Sequence, residues 1–103
     1  MSQLTLELAQ DLLARAMTKA TADFGRPICV AVCDAQGFLL GFARMAGAPV
    51  RSIAISQGKA YTSARMGVTT EALLARIHRE QIEVGYFCDQ LMTAMPGGSP
   101  LTW

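Results

Sequence analysis

The sequence predicts a single α+β domain in which helices pack on an antiparallel sheet. Three observations predict this fold class: an apolar stripe at helical spacing near the N-terminus, two short apolar runs on either side of a turn, and two further helical segments. The order helix, hairpin, helix, helix is typical of an α+β fold. A chain of 103 residues has the length of one domain, so we expect a single domain over residues 1–103.

The first helix is predicted from the spacing of its apolar residues. They recur every three to four positions and form one face: Leu8, Ala9, Leu12, Leu13, Ala16, Met17, Ala20 and Phe24. Thr5 is placed to cap the N-terminus, and Glu7 lies in the first turn, where a negative charge suits the helix dipole. Gly25, with Pro27 just beyond it, is predicted to end the helix.

A β-hairpin is predicted next. Residues 28–34 are β-branched and apolar on both faces, as expected of a strand that is covered on both sides. Residues 34–37 (Asp-Ala-Gln-Gly) form a turn sequence, with Asp first and Gly last. Residues 38–45 return as the antiparallel partner strand, in which Gly41 predicts a bulge or a close backbone approach.

Two more helices are predicted in the second half of the chain. Residues 51–65 are rich in small side chains, which let a helix lie close to a sheet, and Gly67 is predicted to end this helix. Thr69 or Thr70 is predicted to cap a third helix, which ends by Gly85.

The C-terminal part gives weaker signals. The pattern of residues 86–95 is ambiguous. Residues 96–100 (Pro-Gly-Gly-Ser-Pro) predict a tight loop, and residues 101–103 a short stub. An isolated hairpin is only marginally stable, so we expect the sheet to gain strands from another chain or from further sequence.

Composition and charge narrow the range of partners. Apolar residues make up 51% of the chain, charged residues 17%, and the formal net charge is +1. We therefore expect no nucleic-acid partner. No apolar run reaches the ~18 residues of a membrane span, and the N-terminus lacks the pattern of a signal peptide, so we expect a cytoplasmic protein without a membrane partner. With so little polar surface, the chain is expected to bury apolar area against a second copy, as a homodimer or higher oligomer.

The cysteines and the histidine predict no metal site. Cys29, Cys33 and Cys88 lack the spacing of a zinc ribbon or of covalent haem attachment, and we interpret them as small buried hydrophobic side chains. His78 is the only histidine, so a site built from several histidines is excluded within one chain. His78 itself is interpreted either as a partly exposed helix residue or as a haem ligand or general base.

Three charged residues interrupt otherwise apolar elements: Asp34 and Arg44 in the hairpin, and Lys59 in the second helix. A cation in such surroundings needs a carboxylate or an anionic ligand. A structural ion pair and an anion-binding pocket explain the pattern equally well. Gly97 and Gly98 fit either a plain glycine turn or a nest of backbone N–H groups for an anion.

Three blocks, in this order, carry a resemblance to a known family: PICVAVCDAQG (residues 27–37), LGFARMAGA (residues 40–48) and SIAISQGKAYTSA (residues 52–64). Together with PGGSPL (residues 96–101), they make the chain similar to the GlcG/HbpS-like family over roughly residues 8–101. That family includes the glycolate-utilisation protein G, secreted haem-binding proteins and the C-terminal domain of the propanediol-utilisation protein PduO.

The resemblance implies a profilin-like α-β-α domain with an antiparallel sheet of about five strands, usually oligomeric. Family members continue past the glycine loop into further strands and a last helix, so this chain is expected to lack the C-terminal strands. Some members bind haem, and others occur among genes of small-molecule catabolism.

The expected function is therefore a non-catalytic accessory protein that binds haem, another tetrapyrrole or a small molecule. The expected ligand-binding residues are Asp34, Arg44, Lys59, His78, Gly97 and Gly98. Haem is the one cofactor that the resemblance implies. Its candidate axial ligands, after His78, are Tyr61, Tyr86, Met66 and Cys88.

Two other functions stay open at this point. One is a small catabolic enzyme or accessory, in which Lys59 or His78 acts as acid or base beside an anion pocket made by Arg44 and the Gly97 and Gly98 amides. The other is an oligomerisation module without a ligand.

Overall fold

The computed structural model describes residues 5–100, which form an α+β fold with helices on both faces of a two-stranded antiparallel sheet. The elements in chain order are α1 (Leu6–Lys19), a π-helical turn (Ala20–Phe24), β1 (Cys29–Cys33), β2 (Leu39–Arg44), α2 (Ser52–Met66), α3 (Thr70–Glu80) and a 3₁₀ turn (Val84–Phe87). The predicted fold class is confirmed. The predicted stub at residues 101–103 lies outside the described residues.

The first helix begins where the sequence predicts. The Thr5 side chain accepts a hydrogen bond from the Leu8 amide at 3.1 Å and so satisfies one of the free donors of the first turn. The predicted span to Phe24 divides into the α-helix and the π-helical turn, and Gly25 follows in the left-handed conformation.

The hairpin forms with the predicted turn. The Gly37 amide donates to the Asp34 carbonyl at 3.0 Å, and Asp34 Oδ1 accepts from the amides of Gln36 and Phe38 at 2.9 and 3.0 Å. The observed strands are shorter by one residue at each end than the predicted ones.

Gly41 fits both alternatives that the sequence left open. The register runs from Val32 opposite Gly41 to Cys33 opposite Leu39, so one residue of β2 has no partner and the hairpin contains a bulge. A Cβ atom on Gly41 would also lie 2.9 Å from Cδ1 of Leu13, which shows how closely α1 crosses this strand.

The two later helices form where the sequence predicts them, α2 within one residue at each end. Gly67 ends α2 in the left-handed conformation, and the Thr69 side chain caps α3 by accepting from the Ala72 amide at 3.0 Å. The third helix ends at Glu80, earlier than the predicted limit at Gly85, because Gln81 takes the left-handed conformation and donates its amide to the Ile77 carbonyl.

Two layers of helix enclose the hairpin. Helix α1 covers one face, where a small hydrophobic cluster comprises Ala9, Leu13 and Val32, with Leu12, Met17, Val30 and Leu40 packed against it. Helix α2 packs on the opposite face, to which Cys33 points. Among residues 5–100, no helix is long and apolar enough to cross a membrane.

Candidate functional site

An open cavity of about 630 Å³ lies between the hairpin tip, α2 and the irregular segment that follows the 3₁₀ turn. This volume is in the range of small-molecule sites, roughly 300–1,000 Å³. The lining residues are Cys33, Gly37, Phe38, Leu39, Ala54, Ile55, Gln57, Gly58, Tyr61, Arg65, Gln90, Leu91, Met92 and Thr93. Most of these side chains are apolar, and the polar ones come mainly from α2 and from residues 90–93.

Residues 89–93, here called the strap, form one wall of the cavity and cross over α2. At one end, Asp89 accepts a hydrogen bond from the Tyr61 hydroxyl. At the other end, the Thr93 amide donates to Thr62 Oγ1 at 2.9 Å. Between them the strap passes so close to Gly58 that a Cβ there would lie 3.3 Å from the Leu91 carbonyl oxygen. Helix α2 therefore holds the strap at both ends.

The Tyr61–Asp89 hydrogen bond places an acid–base pair at the cavity. This bond is the main reason that the pKa of Tyr61 is raised above its ordinary value, with desolvation adding to it. The same bond lowers the pKa of the Asp89 carboxyl. Tyr61 therefore keeps its proton more firmly than a free phenol does, and Asp89 stays ionised as the acceptor of this hydrogen bond.

Arg65 lies one helical turn after Tyr61 and projects toward the hairpin tip. Its Cζ lies 4.9 Å from the centre of the Tyr61 ring and 6.0 Å from that of Phe38, distances at which a cation is attracted to an aromatic ring. Gly37 makes room for this arrangement. With φ at +94°, a Cβ on Gly37 would be 3.0 Å from both Tyr61 Cδ1 and Arg65 Cγ.

The rim of the cavity is apolar and partly solvent-exposed. Phe38 and Leu91 are 61% and 62% exposed on opposite sides of it. Exposed apolar side chains grouped around a concave surface are typical of a binding site. Cys33 lies deeper, and burial, with a smaller contribution from the charge of Asp34, raises the pKa of its thiol.

None of the six ligand-binding residues predicted from the sequence lines this cavity. Asp34 and Arg44 lie at opposite ends of the hairpin. The Asp34 carboxylate stabilises the turn, and Arg44 Nη2 donates to the Ala48 carbonyl at 3.1 Å, which holds the loop after β2. Both side chains therefore stabilise loops of the hairpin, and they do not contact each other.

Lys59, Gly97 and Gly98 do come together. A Cβ on Gly97 would lie 3.1 Å from Lys59 Nζ, and a Cβ on Gly98 would lie 2.6 Å from the Lys59 carbonyl oxygen. The Gly98 amide donates to Thr70 Oγ1 at 2.8 Å, and its carbonyl accepts from the Thr70 amide at 3.0 Å. Because the Gly98 amide is already used, the plain-turn interpretation of this glycine is favoured.

The candidate haem ligands fall in different places. His78 is exposed in the last turn of α3. Tyr86 is exposed and donates to Glu83 at 3.3 Å, and Cys88 is also exposed. Of these side chains and Met66, none lines the cavity, whereas Tyr61 does. The interpretation of Cys88 as a buried hydrophobic side chain is therefore wrong, and Cys29 and Cys33 are only partly buried.

Sequence reasoning missed Arg65, Asp89 and the strap. The sequence does carry a signal for Arg65, because Gly58, Tyr61 and Arg65 recur at helical spacing and so share one face of α2. Asp89 and the strap carry no such signal, since their positions depend on contacts with residues about 30 positions earlier in the chain, such as the bond from Thr93 to Thr62.

Comparison with known proteins identifies the family. A family model described as haem degrading protein HbpS-like matches residues 4–103. The chain belongs to the HbpS-like family. The resemblance seen in the three sequence blocks is thereby confirmed. No curated protein sequence gave a significant match.

Solved structures of HbpS have the same fold as this HbpS-like chain. A crystal structure of HbpS matches with a TM-score of 0.87 and 29% identity, over 100% of this chain and 70% of that chain. A double mutant of Streptomyces reticuli HbpS matches with a TM-score of 0.81 and 30% identity, over 100% and 68%. The Klebsiella pneumoniae protein ORFY matches with a TM-score of 0.83 and 24% identity, over 100% of this chain and 72% of that chain. This similarity supports the fold alone.

Proposed function

We propose that this HbpS-like chain is a non-catalytic protein that binds haem or a related tetrapyrrole in the cavity beside α2. The observation that carries the proposal is an apolar cavity of about 630 Å³ with a tyrosine hydroxyl in its wall. The description of the matching family, haem degrading protein, supports haem as the ligand class to test first.

The residues present fit such a ligand. Phe38, Leu39, Ile55, Leu91 and Met92 provide apolar walls for a porphyrin ring. Tyrosine is one of the side chains that hold haem iron in proteins, and Tyr61 is the only one of the candidate axial ligands named above that lines the cavity. Bound haem iron would supply redox and ligand-exchange chemistry. Binding of the Tyr61 oxygen to the metal would release the phenolic proton to solvent, because the lowered pKa of Asp89 makes its carboxylate a weak base.

A hemin titration followed by the Soret band tests this function. We expect a saturable shift at one haem per chain. Tyr61→Phe should weaken binding at least tenfold, because it removes the ligand oxygen and keeps the ring. Tyr86→Phe is the matched control, since it deletes the same atom outside the cavity, and His78→Ala should bind as the unmodified protein does.

Two results would contradict the proposal. Binding that fails to saturate would exclude a defined haem site, and loss of binding in His78→Ala with full binding in Tyr61→Phe would move the site to α3. A separate experiment tests the proposal that the protein binds haem without degrading it. The Soret band should persist when the complex is incubated aerobically with ascorbate, and its decay to a verdohaem or biliverdin spectrum would show haem degradation instead.

A second candidate function is supported by the approach of Lys59 to Gly97. An ammonium group beside an exposed glycine turn suits a small anion, such as the substrate of a catabolic enzyme. Inorganic phosphate and short carboxylates should then raise the Tm, and Lys59→Met should abolish the effect. An equal rise in Tm for both proteins would exclude this site.

We infer that the chain also self-associates through its sheet. Within residues 5–100 the sheet has two strands, so a strand edge can pair with a further strand. Large apolar side chains are exposed as well, among them Phe24, Val50 and Met95. Such surfaces are typical of subunit contacts.

A further inference from the structure

Arg65 presents a cation to the cavity without a carboxylate partner among residues 5–100. In this part of the chain the arginine ion pairs are formed by Arg15, Arg76 and Arg79. The side-chain hydrogen bonds from arginine are formed by Arg44 and Arg76. Arg65 takes part in neither kind of contact, so its five N–H donors are not used by the described residues.

Asp89 is the acid beside Arg65, but the ion pairs among residues 5–100 do not include one between these two side chains. Asp89 Oδ2 accepts from the Tyr61 hydroxyl, and Oδ1 accepts from the Leu91 amide at 3.1 Å. The charge of Arg65 contributes, after these hydrogen bonds, to the lowered pKa of Asp89. The Arg65 guanidinium thus lies near the Asp89 carboxylate, and its N–H groups can donate to an acceptor on a ligand.

Two aromatic rings orient Arg65, whose side chain is exposed at the cavity, before any ligand arrives. Its guanidinium packs against the rings of Tyr61 and Phe38, at 4.9 and 6.0 Å from their centres. A flexible arginine loses rotamer freedom when it binds an anion, whereas one that is already held loses less. The stacking therefore prepares Arg65 for a planar, two-oxygen partner, which a guanidinium binds through paired hydrogen bonds.

We infer that Arg65 binds a carboxylate of the ligand and so restricts the cavity to molecules with an apolar body and an acid group at the edge. The inference rests on the proposed function, because it assigns a contact within the same cavity. The apolar wall would hold the body of the ligand, and Arg65 at the hairpin tip would select the acid. A neutral ester of the same body would lose this contact.

Binding of hemin and of hemin dimethyl ester, in the same solvent mixture, tests the inference. We expect the unmodified protein to prefer the diacid by about tenfold, the effect of one charge-assisted contact. Arg65→Gln should weaken diacid binding by that factor and leave ester binding unchanged, and Arg65→Lys should fall between them. Arg76→Gln is the matched control, because Arg76 also stacks on an aromatic ring, Phe87, at 5.5 Å, outside the cavity.

A parallel titration with iron-free protoporphyrin IX and its dimethyl ester, followed by fluorescence, removes any contribution of Tyr61 as an iron ligand. The same preference for the diacid should appear, and it should again depend on Arg65. Equal affinity of the unmodified protein for acid and ester, or equal weakening of both by Arg65→Gln, would overturn the role of Arg65 and leave haem binding intact. Failure of all four ligands to saturate would overturn both proposals.

Discussion

Tyr61 and Thr62 are neighbours in sequence, yet each fixes a different end of the strap. Tyr61 donates to Asp89, and Thr62, which is fully buried, accepts from the Thr93 amide at 2.9 Å while donating to the Gly58 carbonyl at 2.8 Å. A segment without secondary structure of its own is thus held by side chains from one turn of helix. Its stability depends on those few groups.

The Tyr61–Asp89 bond should make stability depend on pH at both extremes. The pKa of Asp89 is lowered in the folded state, so its contribution is present above the ordinary value of about 4 and is lost as the pH falls through the folded value. The pKa of Tyr61 is raised, so its contribution is present below about 10 and is lost as the pH rises through the folded value.

Urea unfolding of the unmodified protein and of Tyr61→Phe, at a series of pH values, measures this contribution. The difference in free energy of unfolding should be constant between about pH 5 and 9 and should shrink outside that window. Tyr86→Phe is the control for the loss of a phenolic hydroxyl outside the cavity, and its free energy of unfolding should change less. A difference for Tyr61→Phe that stays constant across the whole range would contradict the assignment.

Gly98 marks the place where the C-terminal loop passes closest to α2. A Cβ there would lie 2.6 Å from the Lys59 carbonyl oxygen and 2.9 Å from Thr70 Cγ2. Gly98→Ala should therefore lower the free energy of unfolding by roughly 1–3 kcal/mol, as overpacking does. Gly85→Ala is the control, because a Cβ on Gly85 meets nothing within 4 Å. Equal stability of the two variants in urea unfolding would show that the loop moves away without cost.

At the scale of elements, local signals decided what could be predicted. Thr5 at the start of α1, the turn at residues 34–37 and Gly67 at the end of α2 act through neighbours in sequence, so the sequence alone located them. For α3 the sequence set only a limit, at Gly85, because the residue that ends the helix, Gln81, takes a left-handed conformation that glutamine rarely adopts. The cavity escaped prediction because Arg65 and the strap acquire their roles only when α2 meets the hairpin tip and residues 89–93.

The cap of α3 gives a test at this scale. Thr69→Ala removes the acceptor for the Ala72 amide and should lower the stability by about 1 kcal/mol, the usual cost of losing such a cap. Thr18→Ala, an exposed position within α1, should be neutral or slightly stabilising, since alanine is the better helix former. A thermal unfolding scan in which both variants behave alike would exclude the capping role.

At the scale of the molecule, the sheet and the apolar surface lead to the same expectation. Among residues 5–100, nine large apolar side chains are exposed: Leu6, Phe24, Phe38, Leu39, Val50, Val68, Tyr86, Leu91 and Met95. Sedimentation equilibrium should reveal an oligomer whose population rises with protein concentration. Because apolar contact and strand pairing are not screened by ions, added salt should change it little. A monomer at every concentration would exclude association through these surfaces.

Because Cys33 lies in the cavity wall, the rate at which its thiol is alkylated should depend on whether the cavity is occupied. Cys33 is half-buried and its thiol pKa is raised by burial and by Asp34, whereas Cys88 is exposed just before the strap. Since thiolates are the reactive form, an alkylating reagent should modify Cys88 first and Cys33 slowly. A ligand in the cavity should slow alkylation at Cys33 alone, as read by peptide mass spectrometry. The cavity can therefore report its occupancy even for ligands that absorb no light.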